Sequence, residues 1–276
     1  MTRTELVEQI KEKKNYLCIG LDTDVTKLPG HLQSHRNGVF EFNKAIIDAT
    51  KDNCVSYKIN TAFYEAMGIK GWEALEQTVN YIPGSHFTIA DAKRGDIGNT
   101  SAQYAKAFFE VYGFDAVTVT PYMGEDSLQP FLEYKDKWTI VLGLTSNKGS
   151  LDFQQLTVTP EGGSFKKQFL YEKVMQKIVQ WGTPENLMFV VGATKPEQLA
   201  EIRKKFPDHF FLVPGVGSQG GSLSEVSKAA LTDEAGLLVN ASRAIIYADS
   251  SEKFAEEAGR VAEKYATEMQ TLYTST

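Results

Sequence analysis

Cysteine is nearly absent. Only Cys18 and Cys54 occur in 276 residues, each inside an apolar run. Two such thiols make no disulfide framework and are expected to be buried, reduced thiols of a cytoplasmic protein. Histidine is almost as scarce: His31, His35, His86 and His209 form neither H-x-x-H nor H-E-x-x-H, so no metal site is expected. The G-x-S-x-G elbow of serine hydrolases is missing. No apolar run approaches the ~20 residues of a membrane span. The first fifteen residues are charged rather than signal-like, so no membrane partner is expected. Nor is there an excess of positive charge. Twenty-nine Lys and Arg against 35 Asp and Glu give a formal net charge of -6. That argues against a nucleic-acid partner but allows an anionic small molecule held by a few local cations. No repeat, low-complexity tract or Pro/Ser-rich linker divides the chain, so residues 1–276 read as one domain.

What is present is alternation. Short β-branched runs lie at Tyr16–Leu21, Cys54–Ile59, Phe87–Ala92, Ala116–Thr120, Thr139–Leu144, Leu187–Gly192, Phe210–Val213 and Gly236–Asn240. Segments with helical periodicity separate them, among them Phe42–Asp52, Trp72–Tyr81, Thr100–Tyr112, Lys166–Trp181, Lys195–Phe206 and Leu223–Leu231, and Glu252–Tyr273 follows the last strand. Eight strand–helix alternations predict an α/β fold, a single (β/α)8 TIM barrel with parallel strands. The rival doubly wound sheet more usually has six strands, and no G-x-G-x-x-G follows Leu21. Trp72, Trp138 and Trp181 read as helix–sheet packing. His86 and His209 precede strands and so belong to the bottom face, where stability rather than catalysis is expected. The long insertion after strand five, Ser146–Ser164, falls on the C-terminal face, where lids belong; Leu151–Ser164 carries no readable chemistry.

Polar residues at the C-terminal strand ends build the site in such a barrel. They are Asp22 and Asp24 after strand one, Lys58 and Asn60 at strand two, and Asp91, Lys93, Arg94 and Asp96 at strand three. The two-residue period puts Asp91 and Lys93 on one face, aimed into the mouth, with Ala90 and Ala92 on the other. One Asp–Lys pair could simply cap a strand. Adding Lys58 and Asp22 from neighbouring strands makes a cluster too costly to desolvate as scaffold. A second constellation, Val213–Gly221 with Val239–Arg243, places a Gly-rich loop after strand seven and a cation after strand eight. This is where barrels hold phosphate, and Arg243 can grip two oxygens in fork geometry.

The string from Asp91 to Thr100, DAKRGDIGNT, resembles the strand-three signature of orotidine 5′-phosphate decarboxylases. Leu21-Asp22, Tyr57–Asn60, Thr145–Asn147 and Pro214–Gly217 resemble the second branch of that family, and the match runs in order from Asp22 to Arg243. The shorter D-x-K-x-x-D core also occurs in related sugar-phosphate barrels, such as 3-keto-gulonate-phosphate decarboxylase and hexulose-phosphate synthase. Arg94, Gly95 and Ile97 separate this chain from them. The resemblance implies loss of CO2 from orotidine monophosphate to give uridine monophosphate, without cofactor, by a homodimer with shared sites. It implies Asp91 and Lys93 from one subunit, with Asp96 and Thr100 reaching into the neighbour's site, and Ile97 among the substrate-binding residues. Lys58 would hold Asp91 and one ribose hydroxyl, and Asp22 another. Ser146 would meet the pyrimidine edge, with Thr145 or Asn147 as substitutes. Pro214, Gly215, Gly217, Gln219 and Arg243 would surround the phosphate, with Ser218 adjoining. Lys93 would stabilise a carbanion at C6 and then protonate it, Asp91 and Asp96 favouring its charged form. Gln219 and the Ser146–Ser164 insertion are candidates for closure over substrate. The alternative is a metal-dependent sugar-phosphate decarboxylase or lyase whose acids hold Mg2+. A silent phosphate-binding barrel is more distant, having little use for the Asp91/Lys93/Asp96 set.

Overall fold

The computed structural model describes residues 1–159, 168–192, 195–217 and 220–274. Eight strands run through it: β1 (Leu17–Gly20), β2 (Ser56–Asn60), β3 (Phe87–Arg94), β4 (Ala116–Val119), β5 (Trp138–Leu144), β6 (Leu187–Val191), β7 (Phe210–Pro214) and β8 (Leu237–Ala241). Every neighbouring pair is parallel, and β1 closes against β8, so the sheet has no edge. All eight expected strands are present, with ends within two residues of the sequence reading. Nearly every strand residue is buried, as parallel strands wrapped by helices require.

Apolar side chains fill the barrel floor. Phe87, Trp138 and Phe210, from the alternate strands β3, β5 and β7, meet edge-to-face with centroids 5.8 and 5.9 Å apart. Trp138 therefore packs inside the barrel and not between helix and sheet as its sequence suggests. Its ring sits between those of Phe87 and Phe210, which come from the neighbouring odd-numbered strands. Trp72 keeps the outer role, stacked on Tyr112 at 5.6 Å. A helix absent from the sequence reading, Arg3–Lys13, closes this end; Leu6, Val7 and Ile10 are buried, and Arg3 lies over the Phe210 ring. His86 and His209 are buried at the same end, as expected, and both cysteines are buried free thiols pushed up to about 12 by burial.

Two outer segments depart from the expected periodicity. A short helix, Glu125–Leu132, covers the β4–β5 connection, its pattern masked by Pro130. The helix expected over Lys166–Trp181 is shorter, Leu170–Ile178. Gln168–Phe169 instead pair antiparallel with Thr157–Val158, and Lys166 and Lys167 lie outside the described residues. Among the described residues no helix is long and apolar enough to cross a membrane.

Candidate active site

The mouth is organised by an irregularity in β3. Its ladder with β4 pairs Ala90 with Val117 and then Arg94 with Val119, so Asp91, Ala92 and Lys93 all oppose Thr118. Lys93 takes a left-handed backbone, φ 46°, which costs a non-glycine residue about 1–3 kcal/mol. Ala90 and Ala92 are buried among the core, as their alternation predicts, while Asp91 and Lys93 face the mouth.

Asp91 is the hub. Its Oδ1 accepts from Lys93 Nζ at 2.6 Å and from Thr118 Oγ1 at 3.1 Å, and its Oδ2 lies 3.1 Å from Lys58 Nζ. Lys58 in turn donates to Asp22 Oδ1 at 3.0 Å. Burial alone would push the Asp91 carboxyl up, but the ammoniums of Lys58 and Lys93 outweigh it and hold Asp91 well below the usual carboxylate range. Burial would likewise discharge Lys58, yet Asp22 and Asp91 raise its pKa above that of an ordinary lysine. The result is a chain of alternating acid and base, Asp22–Lys58–Asp91–Lys93, with Lys58 buried and Lys93 half-exposed.

Above it opens a cavity of about 340 Å³, large enough for a small ligand. Asp22, Lys58, Asn60, Asp91 and Lys93 line one side. Thr145, Ser146 and Asn147 come from the loop after β5, Pro214 and Gly215 from the end of β7, and Asn240, Ser242 and Arg243 from β8 and its exit. Thus the sequence candidates Asp22, Lys58, Asn60, Asp91, Lys93, Thr145, Ser146, Asn147, Pro214, Gly215 and Arg243 converge. Others do not line the cavity. Asp96 accepts from its neighbour's amide, Ile97 N, at 2.8 Å, and Ile97 and Thr100 are exposed on the surface beyond β3. Gly217, at φ 78°, turns the loop after β7; a Cβ there would meet Tyr265 Oη at 2.4 Å. Gln219 and Ser218 lie outside the described residues. Of the two acids after β1, only Asp22 faces the cavity. Asp24 caps a turn by accepting from Thr26 N and Oγ1.

Several supports are invisible as motifs. Tyr64 Oη donates to Leu21 O and Tyr247 Oη to Asp22 O, fixing the loop that carries Asp22. Gln154 accepts from Thr145 N at 2.8 Å and donates to Thr145 Oγ1 at 2.8 Å, so the insertion braces the loop bearing Ser146 and Asn147. Arg94, singled out in the signature, turns away to pair with Glu65 and lies over the Tyr104 and Phe108 rings. Among the described residues, no three His, Cys, Asp or Glu side chains converge as metal ligands would.

Residues 15–258 match the Orotidine 5'-phosphate decarboxylase / HUMPS family. An orotidine 5'-phosphate decarboxylase of Christiangramia forsetii is 57% identical over 272 residues, 98% of this chain and 97% of that protein. One from Phocaeicola vulgatus is 55% identical over 275 residues, 99% of each. Among solved structures, the Leishmania donovani OMP decarboxylase superposes with a TM-score of 0.84 at 34% identity, covering 100% of both chains. With most of its length matched and the barrel shared, the chain belongs to the orotidine 5'-phosphate decarboxylase / HUMPS family.

Proposed function

We propose that this protein removes CO2 from orotidine 5′-phosphate to give UMP, the last step of de novo pyrimidine synthesis, using no metal or organic cofactor. The observation that carries the reading is Lys93, an ammonium at a cavity mouth held by an ionised Asp91, in a chain 55–57% identical to proteins of that name. Residues 1–276 act as one catalytic domain in this reading.

The chemical difficulty is the electron pair left on pyrimidine C6 when the C6–carboxylate bond breaks, since no adjacent carbonyl or cofactor delocalises it. Slow reactions of this kind need the upper part of the ~8–23 kcal/mol that enzymes supply. Lys93 opposes the developing charge electrostatically at the cavity mouth. Its Nζ then passes a proton to the C6 pair, forming C6–H, and the resulting amine recovers a proton from water. Asp91 is held ionised beside the substrate carboxylate, so departure of neutral CO2 relieves a like-charge contact.

The remaining roles are those the family resemblance implies. Lys58 and Asp22 take the ribose hydroxyls, and Ser146, with Thr145 and Asn147 beside it, takes the pyrimidine edge. Pro214, Gly215 and Arg243 surround the phosphate with Gly217 and Gln219. Phosphate binding is remote from the chemistry, so its energy can be spent on turnover as well as affinity. A homodimer with shared sites accounts for Asp96, Ile97 and Thr100, which are absent from their own chain's cavity. Tyr122 and Met123, on the loop after β4, are further exposed apolar side chains. The acidic balance, the absence of a membrane-spanning helix among the described residues and the reduced thiols fit a cytoplasmic enzyme without nucleic-acid or membrane partners.

The test is the ultraviolet loss of orotidine monophosphate with purified protein, with and without EDTA. Chelator-independent conversion to UMP is expected. No conversion, or sugar-phosphate activity that EDTA abolishes, would place the chain in the metal-dependent branch of its family.

A further inference from the structure

Thr118 lies in β4 in a run, AVTV, that reads as ordinary strand sequence. Its side chain is 1% exposed and does not line the cavity, so it does not reach substrate. It nevertheless touches both groups that carry the chemistry. Its Oγ1 accepts from the backbone N–H of Lys93 at 2.9 Å and donates to Asp91 Oδ1 at 3.1 Å. A hydroxyl has one hydrogen to give, and both contacts are of the kind it can make at once.

The bulge explains why this hydroxyl is placed there. Three β3 residues oppose Thr118, so Lys93 N lacks the regular ladder acceptor, and a buried amide left unpaired is unfavourable. Thr118 Oγ1 takes the acceptor's place. The same Asp91 oxygen also receives Lys93 Nζ. A closed ring results: Lys93 N–H to Thr118 Oγ1, Thr118 Oγ1–H to Asp91 Oδ1, and Asp91 Oδ1 to Lys93 Nζ. It fixes the lysine at both ends, the left-handed backbone and the ammonium.

We propose that Thr118 is a positioning residue for decarboxylation, holding the strained Lys93 backbone and the Asp91 carboxylate so that the Lys93 ammonium stands where charge develops. The proposal rests on the role given to Lys93. Misplacing a catalytic group by about 1 Å can cost on the order of 10²-fold in rate. Substrate affinity is set by the ribose, pyrimidine and phosphate contacts, none of which Thr118 itself makes.

The experiment compares Thr118→Val, which keeps the shape and removes the hydroxyl, with Thr118→Ser, which restores it. Thr139→Val is the control: this buried threonine of the adjacent strand β5 has a hydroxyl without a hydrogen-bond partner among the described residues. Thr118→Val is expected to lower kcat ten- to a hundredfold with KM and UMP affinity within about threefold of the parent. Thr118→Ser is expected within about threefold of the parent kcat, and Thr139→Val unchanged. Should the valine variant not fold, Thr118→Ala against Thr118→Ser carries the same comparison. Parent-like kcat without the hydroxyl, a serine variant as slow as the valine one, or an equal loss in Thr139→Val would overturn the assignment. Lys93→Ala is run alongside. If it is inactive while Thr118→Val is parent-like, only the Thr118 assignment fails; if it retains turnover, the role of Lys93 fails as well.

Discussion

Lys58 and Lys93 are bridged by one carboxylate, yet the Lys58 side chain is 5% exposed and that of Lys93 50%. The buried ammonium is locked between Asp22 and Asp91, while the exposed one has a single carboxylate partner, Asp91, among the described residues. This geometry fits the proposed division of labour, in which Lys58 fixes the charge pattern and Lys93 is left to act on substrate. Removing Lys58 leaves two carboxylates facing each other without their shared cation. Breaking a buried pair in this way costs about 3–5 kcal/mol. Lys58→Ala should therefore lower stability by that order at pH 7. Asp91, depressed in the folded state, contributes stability above the unfolded carboxyl range and loses it as pH falls, so the difference between parent and variant should shrink below about pH 3.8. Denaturant melts at the two pH values check this; an equal difference at both would show that the charges are not its source.

Arg243 opens the short helix after β8, the strand paired with β1, and lines the cavity. If it grips phosphate, Arg243→Ala should weaken UMP binding at least tenfold while leaving uridine binding nearly unchanged. Titration of both ligands reads this directly. Equal loss on nucleotide and nucleoside would remove the phosphate role.

Asp96 and Thr100 stand outside their own cavity, which shared sites would explain. Mixing inactive Lys93→Ala and Asp96→Ala chains should regenerate sites with both residues intact, up to about one quarter of the parent activity from random pairing. No recovery after confirmed subunit exchange would mean that each site is built within one chain.

At the opposite end of the barrel, burial depresses the His209 pKa from 6.5 to about 4, with Arg3 and Arg203 adding to the effect and Asp208 opposing it. Neither ring nitrogen has a hydrogen-bond partner among the described residues. The unfolded chain then binds a proton that the folded chain does not, so this stability is complete above about pH 6.5 and declines as pH falls toward 4. The effect is on the order of 3 kcal/mol. His209→Phe, which preserves the ring contact with Phe189, should flatten that slope by about one proton. An unchanged slope would place its origin elsewhere.

The strands were legible because parallel barrel strands are buried on both faces and read as continuous apolar runs between turns. The Asp91/Lys93 pair was legible for a related reason: charges two residues apart at the end of such a run have nowhere to go but the mouth. Thr118 was not, since threonine is a normal strand residue and its role depends on where β3 bulges against β4. Gln154 was equally hidden, its contact with Thr145 being made only when the insertion folds back. The Arg3–Lys13 helix did carry a signal, the Thr2/Glu5 capping box, but its apolar face is only three residues wide. Trp138 was misplaced because the apolar run was read as starting at Thr139, which left Trp138 outside the strand that in fact begins with it.

The most direct measurement of the account is the turnover of Lys93→Ala alongside its affinity for UMP. A proton donor and charge stabiliser at the reacting carbon predicts loss of several orders of magnitude in kcat, with UMP still bound through ribose and phosphate. Turnover near that of the parent would contradict the central claim, because the ion chain ending at Lys93 would then be scaffold and the chemistry would belong to another group.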